Sequence, residues 1–202
     1  MVKISQSFYR THISAYVYQM LERDFGSGKR EAGCDEAGRG PLAGPVVAAA
    51  VILPKGYEHP LLNDSKKLNQ QKLDLLELEI KDKAVAYQVI EVGPEEIDEV
   101  NILNASFLAM HRAIDGLRIQ PEVLLIDGNR FPSYKNLEHH CIIKGDGKYM
   151  SIAAASILAK THRDRIMRKA ALEYPGYGWE TNVGYPTKQH KEAIQKLGIT
   201  PL

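Results

Sequence analysis

Two adjacent acids, Asp35 and Glu36, come directly before a glycine-rich turn that contains Gly38, Arg39 and Gly40. Carboxylates bind divalent cations, and glycine N–H groups can approach a ligand closely because no Cβ shields them. Arg39 adds a permanent positive charge with a planar set of donors. Together these residue types suit a metal ion held beside a phosphodiester. Taken alone, the stretch is equally well explained as a tight hairpin with an acidic pair on its surface.

Two further acids, Asp127 and Asp146, each lie in or just beyond an apolar predicted strand. Strand ends along one sheet edge are where α/β proteins build active sites. Two charges about 4 Å apart repel by about 4 kcal/mol at an effective dielectric near 20. A cluster of four carboxylates therefore needs a cation or protonation, and oxygen ligands suit Mg²⁺ or Mn²⁺ rather than Zn²⁺. Alternatively, each acid caps a neighbouring loop, and Gly128 after Asp127 favours such a turn.

One stereochemical difficulty concerns the acidic pair itself. Consecutive residues of a regular strand point to opposite faces of the sheet. Asp35 and Glu36 can therefore share a metal ion only if their strand twists or ends there, which Gly38 makes plausible.

The elements that must position these acids follow from the hydrophobic pattern. Strands are predicted at residues 31–37, 45–54, 84–92, 123–126 and 137–143. Helices are predicted at residues 70–83, from Pro94 onward, and at 101–117, 149–169 and 188–197, with a Gly/Tyr-rich loop at 174–187. Three strands followed by strands that alternate with helices predict an α/β fold with one mixed sheet covered by helices.

The chain of 202 residues, 44% hydrophobic and 25% charged, suits one domain with a sizeable core, or a domain plus a small appendage. Within residues 1–202 we expect an N-terminal arm, 1–29, and a C-terminal loop and helix, about 174–202. The net charge of +1 does not by itself indicate a nucleic-acid-binding protein. An acidic metal pocket and basic phosphate-binding groups would cancel in that sum, so the distribution of charge is more informative.

Several features favour a cytoplasmic protein. The longest apolar run, residues 46–53, is too short to cross a bilayer, and the polar N-terminal stretch does not resemble a secretory signal. Cys34 and Cys141 lack metal-ligand spacing and are expected to be reduced thiols. His111, His162 and His190 are isolated on predicted helices and are not expected to bind metal.

The chain resembles the ribonuclease HII family, the type 2 ribonucleases H, over most of its length. The matching stretches are Asp35 to Pro45 (DEAGRGPLAGP), Asn63 to Leu68 (NDSKKL), Leu125 to Asn129 (LIDGN), Lys144 to Asp146 (KGD), Ala153 to Lys160 (AAASILAK) and Gly184 to Thr187 (GYPT). The resemblance implies a ribonuclease H-like fold, with a mixed five-stranded sheet and a small C-terminal helical part.

The resemblance also implies an activity. The chain is expected to be an endoribonuclease that hydrolyses the RNA strand of RNA–DNA hybrids and cuts 5′ of ribonucleotides embedded in duplex DNA. The implied catalytic and metal-binding set is Asp35, Glu36, Asp127 and Asp146. Two Mn²⁺ or Mg²⁺ ions would flank the scissile phosphate and leave 5′-phosphate and 3′-hydroxyl ends. The expected partners are these nucleic acids, with no membrane, and the chain is expected to be a monomer.

Residues implied to bind the substrate are Gly38, Arg39, Gly40, Lys66, Lys67, Ser156, Lys160 and Tyr185. By resemblance, Tyr185 stacks on the sugar and senses the 2′-hydroxyl, the group that distinguishes RNA from DNA. Without the resemblance, Tyr185 is better explained as a core aromatic. Lys66 and Lys67 follow a helix-capping sequence and suit a phosphate site, although most such pairs are simply solvated.

The predicted helix at 149–169 carries Ser156 and Lys160 four residues apart on one face, where the resemblance makes them residues that contact the nucleic-acid backbone or support the active site. Arg163 and Asp164 are expected to form pairs on the helix surface. Asn101 and Asn104 flank a helix start, where they either cap the helix or touch the DNA strand.

Two other functions remain open. A different metal-dependent nuclease or strand-transfer enzyme on the same scaffold would share the carboxylates but not the sugar discrimination. A hybrid-binding module without catalysis would bind the same substrate and not cut it. The family pattern commonly continues beyond Pro201 with a short tail, whereas this sequence stops at Leu202, either because the natural protein is short or because the tail is not part of this sequence. A contact of such a tail with DNA or with a sliding clamp is therefore in doubt.

Overall fold

The computed structural model describes residues 21–62 and 68–202. Its sheet has the strand order β3-β2-β1-β4-β5. The strands are β1 (Glu31–Ala37), β2 (Val46–Ile52), β3 (Ala86–Val92), β4 (Val123–Asp127) and β5 (Glu138–Ile142). The pairs β1–β2 and β2–β3 are antiparallel, whereas β1–β4 and β4–β5 are parallel. The predicted mixed sheet of five strands is therefore confirmed.

Helices cover both faces of this sheet. They are α1 (Gln70–Lys83), α2 (Pro94–Val100), α3 (Ile102–Asp115), α4 (Met150–Glu173), α5 (Trp179–Asn182) and α6 (Lys188–Leu197). One core lies between the sheet and α3, and a second lies between the opposite face and the pair α1 and α4. A third, smaller cluster joins the end of α4 to α5 and α6 and forms the C-terminal helical part.

The centre of the sheet is built from small apolar residues. Every residue of β2 is buried, as expected for a strand covered on both faces. In β1, a Cβ added at Gly33 would overlap the backbone of Ser151 and Ile152. Helix α4 therefore lies directly on β1, and it can do so because Gly33 has no side chain.

Polar side chains fix the starts of three helices, because the first N–H groups of a helix have no partner inside it. Asn69 accepts from the N–H of Lys72 at the start of α1, and Thr187 accepts from the N–H of His190 in α6. Asn101 accepts from the N–H groups of Leu103 and Asn104 at 3.1 Å. Two roles were expected for Asn101, helix capping and contact with the DNA strand, and the structure shows helix capping.

The structure changes some predicted boundaries. The second strand begins after Pro45 and ends before Pro54, because proline has no N–H to donate to a strand ladder. Helix α4 continues to Glu173, and the predicted loop at 174–187 contains the short helix α5. Within the described residues, no helix is long and apolar enough to span a membrane.

Candidate active site

The register of the parallel strands brings two of the four predicted acids together. Gly33 pairs with Leu125 and Cys34 with Ile126, so the next residues along β1 and β4 are Asp35 and Asp127. Neighbouring strands are about 4.8 Å apart, and both residues stand on the face that carries α4. The two carboxylates are therefore neighbours at the carboxyl ends of two parallel strands.

Glu36 is the next residue of β1, one position before the end of the strand at Ala37. Its carboxylate accepts from Nη1 of Arg39 at 3.0 Å, and its own N–H donates to Oδ1 of Asp35 at 2.7 Å. Two residues later, Gly38 has φ +107°, which turns the chain away from the strand. Strand β1 nevertheless continues through Glu36 to Ala37 in its pairing with β2, so it does not end at the acidic pair. The charge of Asp127 acts on both acids, which places both of them near Asp127 at this rim.

Asp146 reaches the same edge from the next strand along the sheet. It lies on a 3₁₀ turn, Gly145–Gly147, that follows β5. The N–H of Gly145 donates to Oδ1 of Asp127 at 2.6 Å, so this turn is tied to the end of β4. The structure thus brings Asp35, Glu36 and Asp127 to one rim of the sheet, and the turn that carries Asp146 is tied to the same rim.

The acids at this rim influence each other's ionisation. Burial raises the pKa of Asp35 well above its ordinary range, the charges of Asp127 and Glu36 raise it further, and a hydrogen bond with Ser156 opposes the shift. Burial also raises the pKa of Glu36, although the hydrogen bond and charge of Arg39 lower it. Removing a carboxylate from water and placing others beside it both favour the neutral form. Asp35 therefore keeps its proton to a higher pH than an ordinary aspartate.

The donor chemistry of this rim fits a divalent cation that prefers oxygen ligands. However, within residues 21–62 and 68–202 no three His, Cys, Asp or Glu side chains are arranged to hold a metal ion. Glu36 and Asp127 accept hydrogen bonds from Arg39 and Gly145 respectively. The metal-binding role of the four acids stays a prediction.

Beside the acids lies a pocket of about 290 Å³ that contains most of the predicted substrate residues. Its lining is Glu36, Ala37, Gly38, Arg39, Gly40, Ser156, Lys160, Arg163, Asp164 and Tyr185. The ring of Tyr185 is half exposed, and a Cβ added at Gly40 would lie 3.4 Å from its Cε1. Segments from both ends of the chain therefore meet around one opening next to Glu36.

Helix α4 supplies one wall of this pocket. Ser156 hydrogen-bonds with Asp35, and Nζ of Lys160 donates to Oδ2 of Asp164 at 2.6 Å. Both residues line the pocket beside Glu36, and their role at the active site stays a prediction. Lys66 and Lys67, the other predicted phosphate-binding residues, lie outside the described residues.

A buried histidine, which the sequence marked only as isolated, supports the segment that carries Tyr185. Nε1–H of Trp179 donates to Nε2 of His190 at 2.9 Å. An indole N–H can only donate, so Nε2 must carry a lone pair and Nδ1 carries the proton. Nδ1 lies 3.0 Å from the carbonyl oxygen of Tyr185 and donates to it. The neutral imidazole of His190 therefore holds the backbone of Tyr185 in place.

The prediction that Arg163 and Asp164 form pairs on the helix surface is wrong in its placement. Both side chains are buried, and Asp164 pairs with Lys160 inside the pocket wall. Arg163 donates to backbone carbonyls instead. A signal was present in the sequence, because the spacing from Ser156 to Lys160, Arg163 and Asp164 is i, i+4, i+7 and i+8, which is one helix face.

Comparison with known proteins agrees with this geometry. The family model described as Ribonuclease HII matches residues 32–202. A ribonuclease HII of Parabacteroides distasonis is 61% identical over 175 residues, which cover 87% of this chain and 88% of that protein. Among solved structures, the ribonuclease H2 of Pyrococcus horikoshii OT3 has a TM-score of 0.70 at 29% identity and covers 85% of this chain and 90% of its own. The RNase HII of Archaeoglobus fulgidus, solved in a complex with PCNA, has a TM-score of 0.71 at 28% identity, with 85% and 92% covered.

Proposed function

Because the chain belongs to the ribonuclease HII family and is therefore an endoribonuclease, we propose that it also cuts DNA duplexes at single ribonucleotides. Its substrates are the RNA strand of RNA–DNA hybrids and, at the 5′ side of the ribose, ribonucleotides embedded in duplex DNA. Cleavage leaves 5′-phosphate and 3′-hydroxyl ends. The active unit is a monomer, which light scattering can test.

The observation that best supports this proposal is that acidic groups lie next to groups suited to recognising a sugar. Carboxylates from β1 and β4 lie beside a pocket lined by Gly38, Gly40 and Tyr185. The acids suit phosphodiester chemistry with a divalent cation, whereas the glycine backbone and the tyrosine suit recognition of a sugar. A nuclease that did not distinguish ribose from deoxyribose would not need the glycine backbone and the tyrosine beside its acids.

The residues that would hold the cations are Asp35, Glu36, Asp127 and Asp146. When bound, two divalent ions, Mg²⁺ or Mn²⁺, would supply a water of lowered pKa and charge neutralisation at the phosphate and at the leaving 3′-oxygen. Because Asp35 keeps its proton to a raised pH, a cation must compete with that proton for the carboxylate. Metal affinity should accordingly weaken as the pH falls.

The pocket residues would select the sugar. The half-exposed ring of Tyr185 offers a stacking face to the ribose, and its hydroxyl is available for a hydrogen bond. Arg39, which is about half exposed, could neutralise the adjacent phosphate, and the N–H groups of Gly38 and Gly40 could approach the 2′-hydroxyl closely. We assign phosphate binding to Lys160, with Ser156 keeping Asp35 in place.

The proposal is tested with duplexes that are identical except for containing none, one or several consecutive ribonucleotides. Each duplex is incubated with Mg²⁺, with Mn²⁺ and with a chelator, and the product ends are identified by mass. We expect cation-dependent cleavage of both ribonucleotide-containing duplexes and none of the all-DNA duplex. Cleavage of the all-DNA duplex at a similar rate, or binding of hybrid without cleavage, would contradict the proposal.

A further inference from the structure

Arg163 is a buried guanidinium whose hydrogen-bond partners are all backbone oxygens. The residue is 1% exposed, although it lies on α4 two residues from the half-exposed Arg165. Its Nε donates to the carbonyl of Pro45 at 2.9 Å and its Nη2 to that of Ala43 at 2.9 Å. Its Nη1 donates to the carbonyl of Val183 at 2.8 Å. One side chain thus joins two segments that are far apart in sequence.

These two segments line the part of the pocket to which we assign recognition of the ribose. Ala43 and Pro45 follow the turn that contains Gly38 and Gly40, and Val183 comes two residues before Tyr185. A Cβ added at Gly38 would lie 2.5 Å from Nε of Arg163, so the turn is folded directly onto the guanidinium. The segments also meet through a backbone hydrogen bond from the N–H of Leu42 to the carbonyl of Gly184.

The conformation of Val183 shows that the contact with Arg163 restrains the backbone and is more than side-chain packing. Val183 has φ 43° and ψ 35°, a left-handed conformation that β-branched residues rarely adopt. Strained backbone of this kind persists only where the surroundings hold it in place. The hydrogen bond from Arg163 to the carbonyl of Val183 is such a restraint, and it acts two residues before Tyr185.

The chemistry of the side chain also matters. Burying a charge is costly, so packing alone would be served better by methionine or leucine. Only the planar fork of a guanidinium can donate to three carbonyls of two segments at once. Burial lowers the pKa of Arg163 without changing this donor pattern.

We propose that Arg163 is a positioning residue for ribose recognition, because it sets the spacing between the Gly38–Gly40 turn and Tyr185. The inference rests on the proposed function, in which these two segments recognise the 2′-hydroxyl. Arg163 itself does not need to touch the substrate.

The test is a double-mutant cycle of Arg163→Lys and Tyr185→Phe, measured as kcat and KM on a duplex with one ribonucleotide. Lysine keeps the charge but cannot reach three carbonyls, so kcat should fall about 100-fold, as expected for misplaced groups. Because Tyr185 would no longer be in place, removing its hydroxyl should then have no further effect. Arg118→Lys is the matched control, since Arg118 also donates to a backbone carbonyl, that of Val85, away from the pocket. This control should cut at the wild-type rate.

Each outcome decides between explanations. If the effects of the two variants simply multiply, Arg163 acts independently of Tyr185 and the inference is overturned. If Arg163→Lys does not fold, Arg163→Met is used, which fills the site without a charge. Failure of both variants to fold would assign Arg163 to the fold and not to recognition. If the wild-type protein does not cut this duplex, the proposed function fails, and the inference fails with it.

Discussion

The hydroxyl of Tyr185 is the side-chain group that we expect to sense the ribose, and its ring lies against Gly40. Tyr185→Phe keeps the ring and removes one hydrogen bond of about 1–1.5 kcal/mol, so we expect kcat to fall about tenfold on a single embedded ribonucleotide. Tyr177→Phe is the matched control. Its hydroxyl donates to the carbonyl of Gly198 and does not line the pocket, so cleavage should be unchanged. Equal rates for Tyr185→Phe and the wild type would leave Tyr185 with a packing role only.

Single residues show what sequence reasoning can and cannot reach. The motif containing Tyr185 could be recognised because its residues are contiguous. The contacts of His190 and Arg163 could not be assigned in this way, since each residue donates to backbone carbonyls whose positions depend on the folded conformation. A hydrogen bond to a carbonyl leaves no pattern in the residue types that receive it.

At the scale of elements, the close contact of β1 and α4 positions both Asp35 and Ser156. Gly33→Ala would place a methyl group in the backbone of Ser151 and Ile152. We expect a loss of at least about 2 kcal/mol in the free energy of unfolding, measured with urea. At Gly147 a Cβ would meet nothing within 4 Å and φ is not positive, so Gly147→Ala should have little effect. Equal stability of the two variants would show that α4 does not rest on Gly33.

A buried ion pair between α1 and α4 gives the fold a defined response to pH. Burial alone would raise the pKa of Glu77, but hydrogen bonds and charges from Lys81 and Arg165 outweigh it and hold the pKa below the ordinary 4.5. A folded-state pKa below the unfolded value means that this stabilisation is present above about pH 4.5 and is lost as the pH falls through the folded pKa.

Glu77→Gln tests this response. We expect the variant to lose roughly 1–2 kcal/mol of unfolding free energy at pH 7, since hydrogen bonds to a charged group are removed. The difference from wild type should shrink as the pH falls below 4.5, the ordinary pKa. Glu192→Gln, on an exposed pair with Lys188, should match the wild type throughout. A deficit of constant size down to pH 3 would mean that the charge of Glu77 is not what stabilises the contact.

Element types were predictable because apolar periodicity is a local signal. The ends of the elements were less predictable: α4 continues beyond its predicted end, and the short helix α5 lies in a predicted loop. Helix α5 is surrounded by glycines and tyrosines that are typical of a loop, and it is kept in place by tertiary contacts of Trp179.

For the whole molecule, the mixed sheet follows from connection lengths. The turn between β1 and β2 is short and allows antiparallel pairing, whereas β1 and β4 are far apart in sequence, as parallel neighbours must be. The apolar residues that make up most of β4 indicate a central strand, but they could not predict that its neighbour would be β1. That one adjacency is what places Asp127 next to Asp35.

The central claim is that the acids at this rim perform cation-dependent cleavage at a ribose. Asp127→Asn removes one charge yet keeps an oxygen that can accept from the N–H of Gly145, so the fold should survive. Its control is Asp74→Asn, an exposed acid on α1 that accepts a hydrogen bond from Gln70.

The most direct measurement is the rate at which wild type, Asp127→Asn and Asp74→Asn cut a duplex with one ribonucleotide in Mg²⁺ and in Mn²⁺. We predict that Asp127→Asn loses at least about 100-fold in rate, equivalent to roughly 2.7 kcal/mol of transition-state stabilisation, with its thermal unfolding unchanged. Asp74→Asn should cut as the wild type does. A folded Asp127→Asn protein with near-wild-type turnover would contradict the account.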